Sequence, residues 1–204
     1  MAIVTGTLFI VSAPSGAGKT SLVRALAQSD PLVHVSVSHT TRTARSSEVQ
    51  GKNYHFVDTP TFEQLLAAGL FLEHAQVFGH YYGTSRDKVE QHLAQGLDVI
   101  LEIDWQGAQQ VRKLMPVKSI FILPPSKQAL IDRLTYRAQD KPEVIAQRMA
   151  LASEETSHYC EFDYLIINDD FDQAVIDLKA ILLANRRQQA KQALVYGDLI
   201  KSLL

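Results

Sequence analysis

The sequence predicts an α/β fold, a parallel sheet with helices on both faces. Three observations carry this. A β-prone run, TLFIVS at 7–12, leads into a loop containing Gly16 and Gly18 and then into a helical pattern. Further apolar runs, DVILEID at 98–104, SIFILP at 119–124 and YLIIN at 164–168, have the continuous character of buried parallel strands. Helical patterns separate these runs, and such alternation packs as a parallel sheet between two helix layers.

The elements follow in order. Residues 19–28 set Leu22, Val23 and Leu26 on one helix face. Residues 34–88 break the rhythm and read as an insertion. It has short β-prone pieces of its own (VSVSH and NYHFV), a small helix after Thr59-Pro60, and a loop, GHYYGTS. Ser126 is placed to cap a helix over 127–138. Pro142 suits the first turn of the next, which reaches about 158, and a last long helix starts near Phe171. Insertions at the carboxyl ends of parallel strands are where such folds bind ligands.

Bulk properties narrow the function classes. Apolar residues make up 46% and charged residues 21%, as in an ordinary globular protein. The net charge of −2 indicates neither a basic nucleic-acid binder nor an acidic tail. A single cysteine, Cys160, allows no intrachain disulfide and fits a reducing compartment. No run approaches the roughly 18 apolar residues of a membrane span. The apolar start, MAIVTGTLFIVSAPS, lacks a basic region and reads as a strand, not as a signal peptide. A cytoplasmic protein is expected.

The stretch SAPSGAGKTS, Ser12 to Ser21, carries the first chemistry. It approaches the pattern G-x-x-x-x-G-K-[ST], with Ala13 at the first glycine. A phosphate needs unobstructed backbone N–H groups and a positive helix end. Gly16 and Gly18 let the chain curl round the anion, with Pro14, Ser15 and Ala17 between and beside them. Lys19 offers a point charge to β- and γ-phosphates, and Thr20 a hydroxyl to Mg²⁺. Ala13 is small enough for its position if its φ is negative. The loop alone is shared by hydrolase switches, motors and kinases.

A second anion site is suggested by SVSHTTRTAR, where Arg42 and Arg45 lie three apart among hydroxyl residues. Arginine forks hold phosphates through paired hydrogen bonds. Tyr54 and Tyr82 add neutral donors. In FLEHAQVFGHYYGTS, Glu73 sits among apolar residues and needs donors. Guanine offers a matching pair, its N1–H and 2-amino group, whereas adenine presents an acceptor at N1. Ser38 and Thr84 supply further polar groups. Arg133 and Arg137 share a helix face, with Arg148 on the next helix. Asp104 ends the second strand, and Glu102 lies two residues earlier on the same side. Trp105 reads as core packing first, and as a reporter near the site second. His39, His74 and His80 show no metal-ligand spacing.

SAPSGAGKT, SVSHTTRTAR, GKNYHFV, FLEHAQVFGHYYGTS, LEIDWQGAQQVR, FILPPS, RLTYRAQD and YLIINDD occur in this order. Together they resemble the bacterial guanylate kinases over about residues 5–185. Members of that family commonly carry alanine where Ala13 stands. The resemblance implies a P-loop NTPase core (about 5–37, 89–125 and 158–185), a GMP-binding insertion (38–88) and a helical lid (126–157). It leaves a helical tail, 186–204, which would pack as a terminal helix or join subunits in a homo-oligomer. It implies transfer of phosphate from ATP to GMP with Mg²⁺, the partners being ATP and GMP and neither nucleic acid nor membrane. Ser12 to Ser21 would then hold ATP, with Thr20 at Mg²⁺ and Asp104 or Glu102 behind it through water. Ser38, Glu73, Thr84 and Asp104 would hold the base, with Glu102 beside them. Arg42, Arg45, Tyr54 and Tyr82 would hold the GMP phosphate. Lys19, Arg42, Arg133, Arg137 and Arg148 would be catalytic. The chain departs from the family's T-T-R-x-x-R-P-G-E, with Ser46 and Ser47 in place of Pro-Gly. Two alternatives remain: a kinase for another nucleoside monophosphate, or an inactive binding module of the same fold.

Overall fold

A computed structural model describes residues 5–204 apart from 47, 78 and 139–141, and apart from the side chains of 136–138 and 142–147. The core sheet has five parallel strands, β1 (Leu8–Ser12), β2 (Val33–Val35), β7 (Asp98–Glu102), β8 (Lys118–Leu123) and β9 (Tyr164–Ile167). Their order is β2-β7-β1-β8-β9, so β1 is central. Its register sets Leu8 against Val99 and Phe9 against Lys118.

Alternation along β1 builds two cores. Phe9 and Val11 join Leu22, Leu26, Leu178 and Leu182 from α1 (Lys19–Ser29) and α7 (Phe171–Arg186). Leu8 and Ile10 face the opposite way. They join Val89 and Leu93 of α3 (Arg86–Ala94) and Ala108 and Val111 of α4 (Trp105–Leu114). Phe9 and Ile10 are both fully buried. At about 25 cal/mol per Å², two such faces supply most of the drive to fold.

The smaller sheet contains β3 (His39–Thr40), β4 (His55–Phe56), β5 (Phe71–Val77) and β6 (His80–Ser85), in the order β4-β3-β6-β5. It is mixed, β3 pairing parallel with β4 and antiparallel with β6. Helix α2 (Thr59–Ala67) covers it through Phe62, which stacks on Phe71 and Tyr81. Asp58 caps α2 by accepting from the Thr61 N–H, and Pro60 follows in the first turn. Helices α5 (Lys127–Ala138) and α6 (Pro142–Ser157) form a separate pair around Leu130, Leu134 and Ala152. Ser126 caps α5, its Oγ accepting from the Ala129 N–H. A 3₁₀ turn (His158–Glu161) leads back to β9, and α8 (Gln189–Val195) and α9 (Gly197–Ser202) close the chain.

Four readings of the sequence are corrected. The HYYGTS part of GHYYGTS is strand β6, because Gly79, at φ +77°, turns β5 back on it as a hairpin. The run 98–104 stops as a strand at Glu102, since Asp104 caps α4 and accepts from the Gly107 N–H at 2.8 Å. YLIIN forms an edge strand, with Leu165 and Ile167 about half exposed. Trp105 lies outside the core, half-buried, with its ring stacked on His158 at 3.6 Å.

Candidate active site

The loop between β1 and α1 sits at the carboxyl end of the central strand. Gly16 and Gly18 have φ of +92° and +98°, in the region that excludes most side chains. A Cβ at Gly18 would fall 2.4 Å from Asn168 Nδ2, which itself donates to the Ala17 carbonyl at 2.7 Å. Ala13 and Ala17 are buried in the α1–α7 core, so the small residues here serve packing as well. Thr20 Oγ donates to Glu102 Oε2 at 2.8 Å. Glu102 ends β7 next to β1, so strand pairing brings this carboxylate to the first turn of α1. A hydroxyl and a carboxylate in contact make a hard-oxygen pair that fits Mg²⁺. Asp104 has one oxygen committed to capping α4.

At the small sheet three of the predicted base contacts form one chain. Thr84 Oγ donates to Glu73 Oε1 at 2.5 Å, and Ser38 Oγ lies 3.4 Å from Thr84 Oγ. Glu73 is only 4% exposed. Burial pushes its carboxyl up to about 7, against the opposing pull of Thr84. The pairing of Glu73 with Thr84 across β5 and β6 builds this arrangement.

Arg42, Tyr54 and Tyr82 also converge. The Arg42 guanidinium lies 5.5 Å from the centre of the Tyr54 ring, and that ring meets Tyr82 edge to face. Arg42 Nη2 donates to Glu48 at 2.7 Å, which raises the guanidinium above its ordinary range. The other Glu48 oxygen accepts from the Arg45 N–H. Glu48 thereby pins the turn where the sequence departs from Pro-Gly. Ser47 lies outside the described residues. The Arg45 side chain is exposed, and its charge helps hold the Glu48 carboxyl low, after the hydrogen bond from Arg42.

The predicted lid arginines sit on α5 (Arg133 and Arg137) and α6 (Arg148). Arg133 donates to the carbonyls of Asn168 (2.9 Å) and Ala17 (3.4 Å), so it braces the phosphate loop. The Arg137 side chain lies outside the described residues. Arg148 lies half-buried on α6.

Sequence reasoning missed several neighbours. Glu155 of α6 accepts from the Ser15 N–H at 3.0 Å, and burial raises its carboxyl. Nothing in the sequence separates it from the exposed Glu154 beside it. Gly18, Ser21, Arg133, Asn168, Asp169 and Phe171 line a cavity of about 300 Å³ beside the loop. The motif YLIINDD marked this end of β9 without indicating a cavity.

A central strand that delivers a phosphate loop at its carboxyl end, in a parallel sheet with a small mixed sheet appended, defines the P-loop NTPase fold. The guanylate kinase family model matches residues 5–185. Guanylate kinases of Alkalilimnicola ehrlichii and Pseudomonas fluorescens are 59% and 60% identical, each comparison covering 98% of both chains. The crystal structure of guanylate kinase from Anaplasma phagocytophilum superposes with a TM-score of 0.78 at 34% identity, over 94% of this chain and 92% of that one. The chain belongs to the guanylate kinase family.

Proposed function

We propose that this enzyme transfers the γ-phosphate of ATP to GMP, reversibly, giving ADP and GDP, in the cytoplasm. The observation that carries the choice of acceptor is the Ser38–Thr84–Glu73 chain, with Thr84 and Glu73 buried. A carboxylate backed by a hydroxyl on its far side is left to accept from N1–H and the 2-amino group of guanine. Adenine offers no such pair.

The reaction asks for alignment and charge neutralisation. The attacking atom is an oxygen of the GMP phosphate, whose second pKa is roughly 6, so it is already ionised at neutral pH and needs no strong base. Arg42, Tyr54 and Tyr82 hold that phosphate, and Arg45 swings in from its exposed position. Loop N–H groups and Lys19 hold the ATP phosphates. Thr20, with Glu102 behind it, would hold Mg²⁺, which would supply charge neutralisation. Asp104 adds a contact to the base from the α4 cap. Arg133, Arg137 and Arg148 close over the transferring group, a role worth about 10³-fold or more in rate.

The test is ADP formation from ATP and Mg²⁺ with GMP, AMP, UMP, CMP and dTMP as parallel acceptors. Turnover with GMP alone is expected. Turnover with a different acceptor would overturn the assignment of Glu73. Binding of GMP without turnover would point to a binding module. In Lys19→Ala, turnover is abolished while GMP binding persists, measured by calorimetry.

A further inference from the structure

Glu73 lies on β5, the outer strand of the small sheet, so one row of backbone groups there has no neighbouring strand. At His74 that row is closed by a side chain. The Gln110 amide of α4 accepts from the His74 N–H at 3.1 Å and donates to the His74 carbonyl at 2.8 Å. A primary amide carries one acceptor and two donors, so it stands in for a strand that is absent.

One turn earlier on the same helix face, Gly107 lies against the Glu73 carboxylate. A Cβ there would fall 2.9 Å from Glu73 Oε2 and 3.3 Å from the Ile103 side chain. On the chain's other side, the register passes from Phe71↔Ser85 to Glu73↔Thr84, so Leu72 is an extra residue. A bulge of this kind re-aims the side chain beside it. Leu72 drops into the core shared with Ala108 and Val111 of α4. Three contacts from one helix therefore meet β5 at residues 72, 73 and 74.

We propose that α4 sets the position of Glu73, with Gln110 and Gly107 as positioning residues that determine guanine selectivity without touching the base. The inference rests on Glu73 as the base contact. A two-point contact demands that both carboxylate oxygens be aligned, and an error of about 1 Å in such a site can cost on the order of 10²-fold. With the amide removed, water replaces Gln110 at His74 and the strand edge is free to shift.

The test compares Gln110→Leu, Gln110→Glu, Gly107→Ala and Glu73→Gln. KM and kcat are measured separately for GMP and ATP, and kcat/KM for GMP is set against that for IMP, which lacks the 2-amino group. Gln110→Leu is expected to raise KM for GMP about tenfold, to hold KM for ATP within about twofold, and to lower the GMP/IMP ratio, the loss being that of two hydrogen bonds to one residue. Gly107→Ala should move the same quantities in the same direction. Gln110→Glu keeps the acceptor for the His74 N–H and should fall between wild type and Gln110→Leu. It also serves should the leucine variant fail to fold. A Gln110→Leu enzyme that melts lower but keeps the wild-type ratio would overturn the proposal, as would equal changes in both KM values. Glu73→Gln separates the two ways to fail. An unchanged ratio there sinks the base contact itself, while a lowered ratio there with a wild-type ratio in Gln110→Leu sinks only the clamp.

Discussion

Burial holds the Glu73 carboxyl at about 7, so near neutral pH it divides between two forms. An ordinary glutamate sits near 4.3. The neutral form is therefore favoured in the fold, and the stability it contributes is fully present below about 4.3 and lost as pH rises through about 7. Guanine works in the other direction. Its two donors favour the carboxylate, so binding GMP should release a proton between about pH 6 and 7. Affinity for GMP should then rise with pH and level off above about 7.5. At pH 6, one unit below the folded value, it should be about tenfold weaker from this group alone. Calorimetry in two buffers of different ionisation enthalpy counts the proton. Glu73→Gln should abolish that part of the pH dependence, retaining the part owed to the GMP phosphate, and should weaken GMP far more than ATP. An equal loss for both nucleotides would contradict the assignment.

At the scale of elements, the phosphate loop and the parallel sheet were legible because each depends on local signals. Leu22, Val23 and Leu26 fix the buried face of α1, and they are buried as the spacing requires. Strand β6 was not legible. Its ladder comes from a hairpin partner, so HYYGTS alone carries too weak an alternation to distinguish strand from loop. The proposed base site was half legible. Glu73, Thr84 and Ser38 were each marked by type, whereas the role of Gln110 depends on where a helix lies against a strand 36 residues away. Glu155 belongs to the same class, being 140 residues from Ser15. Its carboxylate occupies a loop N–H and lies near enough to Lys19 to feel its charge. A bound phosphate group would seek those same donors. Glu155→Gln, which removes the competing charge, is expected to tighten ADP by about threefold to tenfold in a fluorescence displacement titration. Weaker ADP binding would show that Glu155 supports the loop instead.

Across the whole molecule, two features govern stability and movement. Arg186 of α7 bridges Asp30 (2.7 Å) and Asp98 (2.6 Å), carboxylates only 6% and 3% exposed. Lys191 of α8 bonds Thr7 and Asn185 nearby, so α8 is fastened to the residue that precedes β1. Arg186→Met takes the arginine from both carboxylates, leaving them the Leu32 and Thr7 N–H groups, and should cost about 3 kcal/mol, seen as an earlier urea midpoint, with wild-type turnover at 25 °C. The phosphate loop and Glu102 lie at the opposite ends of these strands, with Glu155 of α6 against the loop. Water competes with GMP for the phosphate, so the 38–88 and 126–157 segments are expected to close over the substrates. A bisubstrate inhibitor should contract the small-angle scattering profile, and superimposable profiles would refute closure. The α5–α6 pair rejoins the core through the 3₁₀ turn that begins with His158, and there Trp105 lies flat on the imidazole, 8° from parallel. Trp105 is the chain's one tryptophan. Indole emission from this protein therefore comes from a single ring at the root of the segment expected to close, against a neighbour able to quench it. The enzyme carries its own optical gauge of that joint, readable in a stopped-flow instrument with no label attached.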